Sequence, residues 1–147
     1  MMADVNPYTY LVKIDVQPVS VGTAFQKVSG ITKLATGEST TLEFTQGVPM
    51  LINFWAAWCQ PSIRYTSEIA KLSTTHKQVR MVSVSTDSDV EKAKDVVSSQ
   101  NFEGLEQLHI GESTLDLEYG ASKMPRVVLV DGNGHIVYIG HPMKIKL

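Results

Sequence analysis

Cys59 is the residue of this chain best suited to covalent chemistry, and it is the only cysteine among 147 residues. It follows an apolar run, Met50-Leu51-Ile52-Asn53-Phe54-Trp55, and two small residues, Ala56 and Ala57, and it opens a stretch with helical periodicity. A thiol at a helix N-terminus meets the partial positive charge of unpaired N–H groups, which favours thiolate, the reactive form. Pro61 falls in the first helical turn, where its missing N–H costs nothing and its fixed φ suits the helix. The plain alternative is a buried structural cysteine. Against it stand Trp58, Pro61 and the strand-to-helix junction, which together have the layout of a held nucleophile. Ser62, three residues on, offers a hydroxyl, a poor nucleophile toward sulfur.

Such a thiol needs an interior strand before it and a helix after it. Val48 to Trp55 is continuously apolar apart from Asn53, the pattern of a strand covered on both faces. From Pro61 to about His76, Tyr65, Ile69 and Leu72 recur at spacings of four and three, predicting a helix with one apolar stripe. Val79 to Ser85 reads as a second interior strand. Ser88 with Glu91 reads as a capping box opening a helix that carries Val90, Ala93 and Val97 on one face. A weaker strand near Leu105 to Ile110 and a short helix from Ser113 to about Tyr119, stopped by Gly120, lead to Met124-Pro125. A hairpin then joins Arg126–Val130 to His135–Ile139 through Asp131-Gly132-Asn133-Gly134. Upstream, Tyr8, Tyr10, Val12, Ile14 and Val16 alternate with polar residues as in a half-buried strand, and two short strands, Phe25 to Leu34 and Thr40 to Phe44, flank a turn at Ala35-Thr36-Gly37-Glu38.

The stretch Phe54-Trp55-Ala56-Ala57-Trp58-Cys59-Gln60-Pro61-Ser62 resembles the active-site segment of the thioredoxin superfamily, closest to its redoxin or TlpA-like branch. The resemblance covers about Gly22 to Gly140. It implies a thioredoxin-like α/β fold, a central mixed sheet flanked by helices with an N-terminal β extension. Residues 1–21 would add a strand, 22–140 form the redoxin-like core and 141–147 a tail, all in one domain. That tail is too short for the family's usual last helix. The implied activity is thiol–disulfide exchange on protein or peptide disulfides, with Cys59 as nucleophile and no cofactor. Trp58, Gln60 and Pro61 would border the substrate. Met124 and Pro125 are similar to the family's cis-proline loop, which lies against the reactive cysteine and offers backbone groups to an extended substrate segment.

Several positions depart from the family. Ser62 replaces the second cysteine, so Cys-x-x-Cys has become Cys-x-x-Ser and a mixed disulfide at Cys59 must wait for an outside thiol. Ser62 is either a natural monothiol variant or a substitution that arrests the dithiol cycle; a third, purely structural reading has it satisfy a helix-start N–H. Asn53, six residues before Cys59, occupies the place of a buried aspartate in thioredoxins proper and carries no proton at neutral pH. Tyr65 stands where TlpA-like proteins carry a helix glutamate. Two rival functions remain open at this point, a redox-inactive partner-binding module and a glutathione-dependent monothiol oxidoreductase. A peroxiredoxin is not supported, because Trp55 and Ala56 occupy the approach to the cysteine.

Composition narrows the partners further. A net charge of −2 with no local Lys/Arg cluster gives no attraction to nucleic acid or anionic membranes. With 43% hydrophobic residues the chain can build one continuous core, and a monomer is expected. No run approaches the roughly 20 apolar residues that span a bilayer, and the N-terminus lacks the basic-then-apolar form of a signal peptide; the compartment is left open. Trp55 reads as a core aromatic, and Arg64 and Lys123 as solvated charges. His76, His109, His135 and His141 are scattered without metal-ligand spacing, so neither a metal nor a Cys–His pair is expected.

Overall fold

The computed structural model describes residues 17–147, and the strand expected over Tyr8 to Val16 lies outside them. Seven strands form one sheet: β1 (Val28–Lys33), β2 (Ser39–Leu42), β3 (Met50–Trp55), β4 (Arg80–Ser85), β5 (Glu106–His109), β6 (Arg126–Val130) and β7 (Ile136–Gly140), in the order β2-β1-β5-β4-β3-β6-β7. The β3–β4 and β4–β5 pairs are parallel, and the remaining pairs are antiparallel. Helices α1 (Gln60–Leu72) and α2 (Val90–Ser99) provide the crossovers between the parallel strands, and α3 (Leu115–Glu118) precedes β6. This is a mixed sheet of the thioredoxin-like kind, with the β1–β2 hairpin as an N-terminal β extension.

Every residue of β3 is buried, as its near-continuous apolar sequence requires. Strand alternation sends Met50, Ile52 and Phe54 to one face, where they join Val82, Val84, Leu115, Tyr119 and Val128. Leu51 and Trp55 go to the other, the former with Ile69 and Met81, the latter with Ile63, Ala93 and Phe102. Helices α1 and α2 therefore share one face, and α3 packs on the opposite one through Tyr119, whose ring stacks 6.5 Å from Phe54 and 6.4 Å from Phe25.

Three local expectations are corrected. The buried stripe of α1 is Ser62, Ile63, Thr66, Ile69 and Ala70, and Tyr65 sits on its flank, edge-on to the His141 ring at 4.8 Å. The two hydroxyl residues in that stripe have partners inside the fold, so burial follows the face that meets the sheet more closely than it follows hydropathy. The cap of α2 is Asp89, which accepts the Glu91 N–H at 3.0 Å, one residue later than the Ser88–Glu91 box. An aspartate caps as well as a serine and adds charge at the positive end of the helix. Helix α1 also stops at Leu72, and turns continue to His76.

Two outcomes are expected. Phe54→Ala, which empties the centre of the larger core cluster, lowers the free energy of unfolding by about 3–5 kcal/mol in urea titrations. The Tyr119 phenol is pushed up to about 12, first by burial and then by the Glu118 charge. An acid that stays protonated in the fold but ionises near 10 when unfolded stabilises the native state below that pH and loses its contribution as pH rises through about 12. Urea midpoints should fall over this interval, and Tyr119→Phe should flatten that part of the curve.

Candidate functional site

Strand β3 ends at Trp55, and the chain turns through Ala56, Ala57 and Trp58 before α1 begins. Cys59 is the N-cap residue of α1, with extended dihedrals (φ −112°, ψ 93°), and its side chain makes no capping bond. The Cys59 N–H closes the turn onto the Ala56 carbonyl at 3.0 Å, and the Cys59 carbonyl accepts the Ile63 N–H at 3.2 Å. Pro61 lies in the first turn. Cys59 is half-buried at the N-terminal end of a thirteen-residue helix, where the first N–H groups have no intrahelical partner.

Ser62 is fully buried, and its hydroxyl is committed. It accepts the Ala56 N–H at 3.2 Å and donates to the Cys59 carbonyl at 2.7 Å. The N–H it satisfies thus belongs to the turn before the helix, whereas the sequence reading considered a helix-start N–H. Thr66 extends the contact one turn on by donating to the Ser62 carbonyl at 2.7 Å. Asn53 is buried and donates from Nδ2 to Thr66 Oγ1 at 2.8 Å and toward Ser83 Oγ at 3.4 Å. It is a bridge between β3, β4 and α1, with no acid at that position.

Trp58 is 70% exposed and Trp55 is wholly buried. The Met124–Pro125 peptide bond is cis, and Met124 and Trp58 line one open cavity of about 280 Å³ together with Thr86, Asp116, Leu117 and Gly120. The structure brings Trp58, Cys59 and Met124 to one end of the sheet, where β3, β4 and the loop before β6 converge. Gln60 and Pro61 are exposed on the first turn of α1, outside that cavity. Arg64 and Lys123 are exposed as well. Among the described residues no group of three or more His, Cys, Asp or Glu side chains gathers as metal ligands would, and no helix is long and apolar enough to cross a membrane.

One neighbour of the turn escapes the sequence reading. Asp87, only 4% exposed, follows β4 and accepts the Ala57 N–H on both carboxylate oxygens, at 2.9 and 3.0 Å. Ser85 Oγ donates to the same carboxylate at 2.7 Å. His109 Nε2 donates to the Asp87 carbonyl at 2.6 Å, while its Nδ1 accepts the Gly111 N–H at 2.9 Å. Both partners are satisfied by the neutral tautomer with the proton on Nε2. The available signal was a carboxylate placed directly after an interior parallel strand, at the end of the sheet where such folds assemble their sites.

The sequence profile of the thioredoxin-like family matches residues 47–136. The chain belongs to the thioredoxin-like family. The matched span runs from the approach to β3 into the start of β7, so it contains the Cys59 turn, α1 and the Met124–Pro125 loop. The thiol:disulfide interchange protein DsbE of Escherichia coli is 32% identical over 94 residues, 64% of this chain and 50% of that protein. The chain thus spans about half the length of the interchange proteins it matches. A thiol:disulfide interchange protein from a Bacteroides species superposes with a TM-score of 0.65 at 25% identity, over 82% of this chain and 81% of the other. The thioredoxin domain of a thiol-disulfide oxidoreductase from Bacteroides vulgatus gives 0.68 at 23% identity, over 82% and 88%; at that identity the likeness concerns the thioredoxin-like fold alone.

Removing the Ser62 hydroxyl leaves the Ala56 N–H buried without its acceptor. Ser62→Ala is therefore expected to lower stability by about 1–3 kcal/mol, read as a shift of the urea midpoint at unchanged slope.

Proposed function

We propose that this chain exchanges thiols and disulfides with protein or peptide partners through Cys59. The observation that carries this reading is the position of Cys59, half-buried at the N-cap of α1 and next in the chain to Trp58, which with Met124 lines an open groove whose wall does not include Cys59 itself. The positive end of a helix stabilises negative charge on sulfur, and relatives that share the thioredoxin-like fold carry the name of thiol:disulfide interchange proteins.

In the proposed step the Cys59 thiolate attacks one sulfur of a partner disulfide. A bond forms between Cys59 Sγ and that sulfur, and the partner's other sulfur leaves as thiolate and takes a proton from solvent. Trp58 would pack on the partner, Gln60 and Pro61 would border it, and the Met124–Pro125 loop would pair with its backbone. Resolution requires a second thiolate to attack the mixed disulfide. Ser62 occupies the resolving position but has no sulfur, and its hydroxyl is already bound to Ala56 and Cys59. The second thiol must then come from outside, from a protein, a peptide or glutathione.

The test has two arms: pre-reduced protein freed of reductant is mixed with insulin, and turnover of insulin disulfides is followed separately under dithiothreitol, for this chain and for Ser62→Cys. Without reductant the serine form is expected to accumulate one equivalent of mixed disulfide, located at Cys59 by peptide mass spectrometry, while the cysteine form resolves it; under dithiothreitol the cysteine form is expected to turn over repeatedly and faster than the serine form. Turnover by the serine form only when glutathione is supplied would identify a glutathione-dependent monothiol enzyme. If neither form turns over and Cys59 stays unmodified, the exchange reading fails and a partner-binding module takes its place.

A further inference from the structure

The turn that presents Cys59 is pinned at two consecutive amides. Ala56 donates to Ser62 Oγ, which belongs to α1 itself, and Ala57 donates to Asp87, which belongs to the sheet. The first bond moves with the helix; the second ties the nucleophile's turn to the end of β4. Thr86, adjacent to Asp87, lines the same groove as Trp58 and Met124, and its N–H bonds to the Trp55 carbonyl at 3.0 Å. Thr86 thus walls the groove while its neighbour Asp87 holds the turn before Cys59.

Asp87 is unusual for a carboxylate buried this deeply. None of the ion pairs among the described residues includes it, and its oxygens meet neutral donors, the Ala57 N–H and the Ser85 hydroxyl. A buried acid without a cation is costly unless its hydrogen bonds are made in full, and bonds to a carboxylate are roughly twice as strong as bonds between neutral groups. Its main chain is held in turn. The Asp87 N–H bonds to Ser85 Oγ at 3.1 Å and its carbonyl accepts from His109, whose ring is oriented by the Gly111 N–H. Ser85 and His109 stand opposite one another in the β4–β5 register. The support runs from β5 through β4 to the turn without passing through α1.

We propose that Asp87 is a positioning residue for exchange at Cys59, acting through the Ala57 amide and itself steadied by His109. This deepens the thiol–disulfide reading of the site and rests on it. The chemical role is that of an acceptor fixed at the Ala57 N–H, which holds the turn while the partner's sulfur approaches in line; misplacement by about 1 Å can cost reactions on the order of a hundredfold.

The test compares Asp87→Ala and Asp87→Asn in two assays. Carboxamidomethylation of Cys59 in the present chain reads the thiol without any partner, and insulin reduction is followed in the Ser62→Cys background. The Ala57 amide is followed in ¹H–¹⁵N spectra. Asp87→Ala is expected to lower both rates by about tenfold or more and to move the Ala57 resonance upfield with faster hydrogen exchange. Asp87→Asn, which keeps an oxygen for the Ala57 N–H, should restore each rate to within about threefold of the parent, as expected when the acceptor outweighs the charge. Unchanged rates in a folded Asp87→Ala overturn the proposal. So does an Asp87→Asn protein as slow as the alanine variant, which would assign the effect to charge. If Asp87→Ala does not fold, the Asn variant decides: parental rates with the Ala57 amide still protected support positioning, and lost rates overturn it. Absence of insulin turnover in every form, parent included, removes the exchange reading, while the alkylation rates and the Ala57 amide still decide whether Asp87 places the turn.

Discussion

The structure depends on the complete burial of β3. Six consecutive residues are shielded on both faces; all six pair with β4 in parallel register, and Met50 to Phe54 pair with β6 in antiparallel register. A strand held on four sides cannot slip, because a one-residue shift would exchange the contents of its two faces. Its C-terminal end is therefore a fixed point. The turn from Ala56 to Cys59, the start of α1 and the end of β4 are all placed relative to it.

Two series of buried hydrogen bonds gather near that end, while Asn53 Oδ1, Trp55 Nε1 and Arg126 Nε are buried there without a partner among the described residues. Asn53, Thr66 and Ser62 form a descending series between β3 and α1, and Ser85, Asp87 and His109 form a second between β4, β5 and the turn. Buried hydrogen bonds of this kind contribute modestly when made and cost more when broken, so their main effect is specificity of geometry. A hydroxyl at Ser62 fits this economy, because it both accepts from Ala56 and donates to the Cys59 carbonyl.

The site is open where the core is closed. Trp58 and Leu117 are large apolar residues exposed on either side of a cavity that also receives Met124. Under the exchange reading, the exposed Trp58 and Leu117 and the half-buried Met124 would meet a partner that brings its own apolar surface and an extended backbone.

Much of this was legible in the chain because it follows from short-range patterns. The apolar run before Cys59, broken only by Asn53, determined an interior strand, the spacing after it a helix, and the Asp131–Gly134 stretch the last hairpin; the Phe54–Ser62 segment singled out Cys59 by its resemblance to thioredoxin-like proteins. What the pattern could not carry was side-chain commitment across the sheet. Tyr65 looked like core by spacing yet lies on the flank, since small hydroxyl residues can be buried once the sheet supplies partners. Asp89 displaced Ser88 as the cap of α2, because two adjacent residues are equally able and only the path of the chain out of β4 selects one. Asp87 was invisible for the same reason: it is 28 residues from Cys59 in sequence, and only the parallel register of β3 with β4 brings a carboxylate that any loop could have carried against the amide of Ala57. Local patterns thus determined the elements and singled out Cys59, and the tertiary structure alone decided what holds the turn before it, because hydrogen bonds between distant strands leave no periodic trace in the sequence.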